Sequence, residues 1–320
     1  MLDALLEPTG SGTPFVFREP LGQAREVKVA LSGLFGRFVA RAYLERYFGL
    51  SIFAHLGNRA INIDGRRRIT VRKLSGGDLP DWIACASDLS SLTVAEAKGC
   101  HDVAGPGKAL DRAWAQAGRI AVEARGRRVT VKRIAIATRW GMASSGPADA
   151  RMAVRDPVDE GEPIEPDEKD RVFVGLLRLH IANLIRPLGY AELAAALVRL
   201  TVRRSLRSDE IRDRAILDLV KVQDDPKSKT MDGLIGGIVT RAGPLNDADV
   251  SLTDREVLAR LNLRPVFVGV ERGIIQAAID GEPKIVRAKL AELPRTDGDA
   301  RGDGAGGWVI PLDGERGSST

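Results

Sequence analysis

Three residues in the stretch PDWIACASDLSSLTVAEAKG (residues 80–99) carry side chains that could do chemistry together: Asp81, Glu96 and Lys98. Asp81 precedes the apolar run WIACA, and Glu96 and Lys98 close the run LTVA. Charges at the ends of strands that look buried cost free energy unless something binds them. Either they are ordinary strand-end charges facing solvent, or they are one half of a metal site. The two runs, joined across Ser87-Asp88-Leu89-Ser90, read as a hairpin, in which opposed residues share a face and side chains alternate with period two. A four-residue loop pairs Ala86 with Ser91 and sets Asp81 opposite Glu96, with Lys98 two residues on and on the same face. A two-residue loop pairs Asp81 with Lys98 instead and keeps the cluster, whereas a one-residue slip destroys it.

Such a cluster has a use. Mg²⁺ favours oxygen ligands in an octahedron and takes one or two carboxylates beside water and substrate phosphate. Asp81 and Glu96 supply the carboxylates, and the backbone carbonyl of Ala97 could supply a third protein oxygen. Lys98 would then help to deprotonate or orient a water for in-line attack on phosphorus, while Mg²⁺ (or Mn²⁺) stabilises charge on the phosphate.

The elements that must position these residues are legible in outline. LSGLFGRFVARAYLERYFGL (31–50) carries a helical apolar stripe, with Ser32 available as a cap and Gly49 as a stop. Short β-like pieces follow: SIFAH, INI and RITVRK, separated by the turn signals Gly57-Asn58 and Asp64-Gly65, then WIACA and LTVAEAK. Residues 107–124 read as a helix after the breaker Gly105-Pro106-Gly107, and RVTVKRIAIATRW (128–140) as one long strand. The order is helix, three or four strands, helix, strand, the size of one α/β domain.

With those elements in place, the stretch resembles the core of the PD-(D/E)XK nuclease superfamily over roughly residues 20–140. Pro80-Asp81 stands for the first part of the motif and Glu96-Ala97-Lys98 for the second. The resemblance implies a restriction-endonuclease-like core of helix, three-stranded meander, helix and strand, and a metal-dependent nuclease of restriction, repair or defence. In several branches the helix after the lysine strand carries a glutamine facing the site, which makes Gln116 a candidate to orient a phosphate or Lys98. Some branches place a glutamate on the first helix right after a glycine. Here that slot is Gly36-Arg37, with Glu45 two turns later, so an upstream metal ligand is missing from the pattern. A second E-x-K, Glu26-Val27-Lys28, is taken as a chance match.

Beyond residue 140 the resemblance says nothing. Residues 141–170 read as an acidic linker or loop, since 156–170 carries eight acids against one Lys. Residues 171–320 read as a second, mainly helical domain: FVGLLRLHIANLI, a Pro187-Leu188-Gly189 break, AELAAALVRLTV, and a helix over 208–222 capped by Ser208. Residues 223–250 look loop-like, RPVFVGV like a strand and GIIQAAI like a short helix. The tail TDGDARGDGAGG and the end DGERGSST look mobile.

Composition bounds the rest. The chain has 320 residues, 44% hydrophobic and 28% charged, enough to bury a core. No apolar run approaches the ~18 residues of a membrane helix. The start lacks the basic-then-apolar order of a signal peptide, and two cysteines make no disulfide framework, so a reducing cytoplasm is expected. Cys85 and Cys100 are expected as small core fillers, and His101 as a loop histidine. A net charge of +5 permits a nucleic-acid partner without demanding it. With 37 Arg against 11 Lys, Arg66, Arg67 and Arg68 and Arg125, Arg127 and Arg128 either track a phosphate backbone or are simply solvated. Three functional readings stand: a Mg²⁺- or Mn²⁺-dependent nuclease acting on DNA, a catalytically inactive nuclease-fold protein binding nucleic acid or acting as a scaffold, and a nuclease active only with a protein partner or as a homodimer.

Overall fold

The computed structural model describes residues 6–7, 16–17, 25–55, 60–62, 68–89, 91–101, 103–142, 150–158, 161–202, 208–224, 229–231, 233–239, 266–293, 296–297 and 300–311. It is a mixed α/β structure with several sheets. The central sheet carries the site. It is built from β3 (Ile52–Ala54), β6 (Trp82–Cys85), β7 (Thr93–Cys100), β10 (Lys132–Arg139) and β12 (Arg151–Arg155), in the order β12-β10-β7-β6-β3. β3, β6 and β7 run antiparallel in turn, β10 lies parallel to β7, and β12 runs antiparallel along the far edge.

Both faces of this sheet are covered, which is why its strands are near-continuous apolar runs rather than alternating ones. Phe53, Trp82, Ala84, Ala95, Ala97, Ile134 and Ile136 pack with Ala40 and Leu44 of α1 (Arg25–Phe48). The intervening positions Ile52, Ala54, Ile83, Cys85 and Val94 join a second cluster with Ala117 of α2 (Gly107–Ala117) and with α3 (Pro166–Ile185). α1 sits against β7 because neither side of the contact has a Cβ. One added at Gly36 would lie 2.8 Å from the Gly99 amide nitrogen, and one at Gly99 would overlap the Ser32 carbonyl. Gly49, at φ 64°, ends the helix as expected. Ser32 is no cap: the helix begins seven residues earlier, at Arg25, and the Ser32 hydroxyl donates back to the Val29 carbonyl at 3.0 Å.

Other expectations fail where the chain changes sheets. β4 (Ala60–Asn62) and β5 (Arg68–Lys73) do not continue a meander; they pair into a separate sheet β4-β5-β8-β9. Its other strands, β8 (Ile120–Ala124) and β9 (Arg127–Val129), come from segments read as helix and as one long strand. The helix stops at Ala117 because IAVEA finds an edge on β5, and the strand 128–140 breaks at Thr130-Val131 because its halves serve two sheets. The turns Gly57-Asn58 and Asp64-Gly65 lie outside the described residues. A small sheet joins β1 (Leu6–Glu7), β2 (Val16–Phe17) and β11 (Gly141–Met142).

The described residues of 141–170, the stretch expected as an acidic linker or loop, take part in sheets and a helix. They supply β12, isolated bridges at Gly161 and Pro163, and the start of α3. α3 carries buried Val172, Phe173, Leu176, Leu177, Ile181, Ala182 and Ile185, apolar nearly all round, and packs both on β3 of the central sheet and on the helices that follow it. α4 (Ala191–Val202) and α5 (Ser208–Asp224) follow. The second half is also more than helical. A six-stranded antiparallel sheet runs β13-β14-β15-β18-β17-β16, from β13 (Lys229–Met231) and β14 (Leu234–Val239) through β15 (Val266–Glu271) to β16 (Thr296–Asp297), β17 (Ala300–Gly302) and β18 (Gly307–Pro311). Between β15 and β16 lie α6 (Arg272–Asp280) and α7 (Pro283–Glu292). The stretch TDGDARGDGAGG therefore contains paired strands, because Asp303 is tied down by His180 from α3 at 3.0 Å. The end DGERGSST lies outside the described residues. Among the described residues no helix is long and apolar enough to cross a membrane.

The helix–strand contact yields opposite expectations for two glycines of one region. Gly99→Ala should lower the stability of unfolding by about 3 kcal/mol, since backbone must move to admit the methyl group. Gly33→Ala, in the same helix with nothing within 4 Å of a Cβ, should raise it by about 0.5–1 kcal/mol. Urea unfolding of the two variants checks both signs, and a neutral Gly99→Ala would dismiss the close approach.

Candidate active site

The β6–β7 register pairs Trp82 with Ala95 and Ile83 with Val94, which continues to Asp81 across from Glu96. The pairing is that of the four-residue loop. The Asp81 amide donates to Glu96 Oε2 at 2.8 Å, and the Ala97 amide donates to Asp81 Oδ2 at 3.0 Å. Each carboxylate thus has one oxygen fixed by the other strand's backbone. Each has its second oxygen on a cation: Asp81 Oδ1 lies 2.8 Å from the Arg37 guanidinium, and Glu96 Oε1 lies 2.6 Å from Lys98 Nζ. The carboxylates are buried, 4% and 0% exposed at the side chain, while Arg37 and Lys98 are 57% and 31% exposed. An amide and carbonyl of one strand residue leave on the same edge, so the Ala97 carbonyl faces the Asp81 side as well.

Burial first, and the neighbouring Asp81 charge second, push the Glu96 carboxyl up to about 7 against the pull of Lys98. A third element holds the approach to Asp81. Buried Gln116 of α2 donates from Nε2 to the Leu79 carbonyl at 2.6 Å, and Arg119 donates to the Asp78 carbonyl at 3.2 Å. Gln116 therefore reaches the backbone just upstream of Asp81 rather than Lys98.

Arg37 and Lys98 line one wall of a cleft of about 1060 Å³, which Lys28, His101 and Arg112 also line. No carboxylate is among its described lining residues. His101 ties the two sides together, with Nε2 3.0 Å from the Lys28 carbonyl and Nδ1 3.4 Å from the Trp140 carbonyl. Lys28 and Arg112 were not singled out in the sequence. Lys28 was set aside within the chance Glu26-Val27-Lys28 match, and Arg112 had one available signal, its place one helical turn before Gln116.

The basic runs go elsewhere. Arg68 opens β5, and Arg127 and Arg128 lie exposed on β9, all in the second sheet. Arg125 sits in the β8–β9 turn and pairs with Glu168 of α3 at 2.7 Å. Arg66 and Arg67 lie outside the described residues. Glu45 belongs to a separate cluster, 2.9 Å from Arg41 beside a second cavity of about 500 Å³ that Asp303 also lines. Burial raises its carboxyl above the ordinary range despite Arg41. Cys85 is fully buried and its thiol is pushed up by burial, an inert core filler, whereas Cys100 lines the cleft.

Among the described residues no three His, Cys, Asp or Glu side chains converge, so a cation here would rest on two carboxylates completed by carbonyl, water or substrate oxygens. The donor set fits a hard cation: two oxygens now engaged by a guanidinium and an ammonium, on carboxylates already oriented by backbone. No family model, no curated protein and no solved structure matches the chain.

The raised Glu96 group has a consequence for stability. Between its ordinary value of 4.5 and about 7 the folded protein binds a proton that the unfolded chain has released. Its contribution is fully present below pH 4.5 and is lost as pH rises through 7. Glu96→Gln should therefore flatten this slope and be more stable than wild type at pH 8, by about 2 kcal/mol. Urea titrations at pH 5 and pH 8 test it; an unchanged slope in the variant would assign the proton to another group.

Proposed function

We propose that this chain is a Mg²⁺- or Mn²⁺-dependent phosphodiesterase acting on nucleic acid, DNA foremost. The observation that carries the reading is the meeting of Asp81, Glu96 and Lys98, with Lys98 and the Asp81 partner Arg37 lining a cleft that Lys28 and Arg112 also line. The motif Pro80-Asp81 with Glu96-Ala97-Lys98, on an order of α1, β3-β6-β7, α2 and β10, supports kinship with the PD-(D/E)XK nucleases.

Asp81, Glu96 and the Ala97 carbonyl would hold the cation. When bound, it supplies Lewis acidity toward the scissile phosphate. Lys98 presents its ammonium to the cleft, where it orients the attacking water and offsets charge building on the phosphate. Lys28 and Arg112 hold the polyanion along the wall by charge, a contact that weakens with salt. Gln116 and Arg119 keep the 78–81 segment in register, so that Asp81 meets Glu96 rather than slipping past it.

One observation favours a second reading. Arg37 occupies the oxygen of Asp81 that a cation would take, as expected of an inactive nucleic-acid-binding or scaffold subunit that has exchanged its metal for an internal cation. Cleavage separates the two. Supercoiled plasmid, linear DNA and RNA are incubated with wild type, Lys98→Ala and Glu96→Ala in Mg²⁺, Mn²⁺ or EDTA. The nuclease reading expects metal-dependent cleavage by wild type, reduced about 100-fold or more in Lys98→Ala. Full activity in folded Lys98→Ala would sink the mechanism, and metal-independent binding without cleavage would favour the scaffold.

A further inference from the structure

We infer that Arg37 gates Asp81: without nucleic acid its guanidinium holds the carboxylate oxygen a divalent cation needs, and a backbone phosphate in the cleft draws it away. This rests on the metal-dependent reading of the site.

The exchange is built into the hydrogen bonds. Asp81 Oδ2 is held by the Ala97 amide and Oδ1 by Arg37, so Oδ1 can change partners while the carboxylate stays in place. Arg37 stands on α1 immediately after Gly36, whose missing Cβ lets the helix lie against Gly99 and Lys98. Its backbone is therefore fixed, while its side chain is more than half exposed and meets solvent beyond its contact with Asp81. It also lines the same cleft as Lys28, Lys98 and Arg112. A phosphate entering there meets a guanidinium whose planar fork suits two phosphate oxygens better than a single carboxylate oxygen.

Two competitions follow. A divalent cation and Arg37 compete for Asp81 Oδ1, and Asp81 and phosphate compete for Arg37. Nucleic acid therefore promotes cation binding, and by linkage the cation promotes nucleic-acid binding to the same extent. Because Arg37 is largely exposed, the coupling lies at the weak end of such effects, about fivefold. The free protein would be a poor metal binder and its site would assemble on substrate. Arg37 is on this account a positioning residue before the cleft fills and a phosphate contact afterwards.

The test is Mn²⁺ titration calorimetry on the full chain without nucleic acid, comparing wild type with Arg37→Met, Arg112→Met and Asp81→Asn. Arg37→Met should bind Mn²⁺ about fivefold more tightly than wild type, and Asp81→Asn should abolish binding. Arg112→Met removes the same charge from the same cleft without touching Asp81, and should stay within about twofold of wild type. Arg37→Met should melt at a lower temperature than wild type in EDTA, because Asp81 Oδ1 is left unpaired, and should recover on adding Mn²⁺. In EDTA it should also bind a labelled DNA duplex more weakly. If Arg37→Met binds Mn²⁺ no better than wild type while Asp81→Asn abolishes binding, the gate is wrong and the metal site stands. If Arg112→Met gains as much as Arg37→Met, the effect is a general field and the gate is again wrong. Absence of Mn²⁺ binding in every protein overturns both the gate and the metal-dependent reading.

Discussion

Two carboxylates facing each other across a strand pair, with almost no exposure, set the terms for everything around them. Removing a carboxylate from water costs several kcal/mol even after relaxation, and two side by side cost more through mutual repulsion. The fold meets this by giving each carboxylate one backbone N–H from the opposite strand and one cation from outside the pair. The N–H groups require the β6–β7 register, because a slip of one residue turns both side chains to the wrong face. The cation on Asp81 requires α1 to lie against β7, and that contact requires Gly36 and Gly99. Helix, sheet and charge pattern are therefore coupled at one point.

The rest of the molecule bears on that point from the other face. α3 fills the side of the central sheet opposite α1, and its apolar surface continues into α4 and α6. His180 closes the arrangement. Its Nδ1 lies 3.0 Å from the Phe53 carbonyl and 3.3 Å from the Phe53 amide of β3, and its Nε2 lies 3.0 Å from Asp303 Oδ2 of the last sheet. The second half of the chain thus packs the sheet that carries the site and contributes no described residue to the Asp81–Glu96–Lys98 cluster itself.

What the sequence revealed about the site was its local part. Asp81, Glu96 and Lys98 lie within eighteen residues, on two strands joined by a short loop, so periodicity and loop length narrow the pairing to two registers that both keep the cluster, of which the structure has the four-residue-loop one. In the sequence Arg37 is only a departure from the glutamate pattern after Gly36, since residue type at that slot carries no information on how far a long cation reaches. Its partner is forty-four residues away, and that pairing exists only once α1 has packed. The second sheet was invisible for the same reason. β5 pairs with β8 across some fifty residues, and a long-range edge overrode the helical reading of IAVEA. Arginine runs such as Arg125, Arg127 and Arg128 reported composition rather than position: the cleft draws its cations singly, from α1, β7 and α2.

Asp303 and Glu96 show how two desolvated carboxylates of one fold come to opposite shifts. Glu96 is fully buried and the Asp303 side chain is 18% exposed, and desolvation alone would raise both. Asp303 accepts two backbone N–H groups, from Ala305 and Gly307 at 2.8 Å each, and a third hydrogen bond from His180, and these hold it below the ordinary carboxylate range. Glu96 has a single backbone N–H, an ammonium that is partly in water, and another carboxylate as its neighbour, and it stands well above that range. The first environment leaves the charge nothing further to gain from a ligand. The second leaves the charge under-compensated at neutral pH. The contrast lies in the supply of hydrogen bonds rather than in burial: Asp303 is compensated from within the fold, and Glu96, beside the basic cleft, is not.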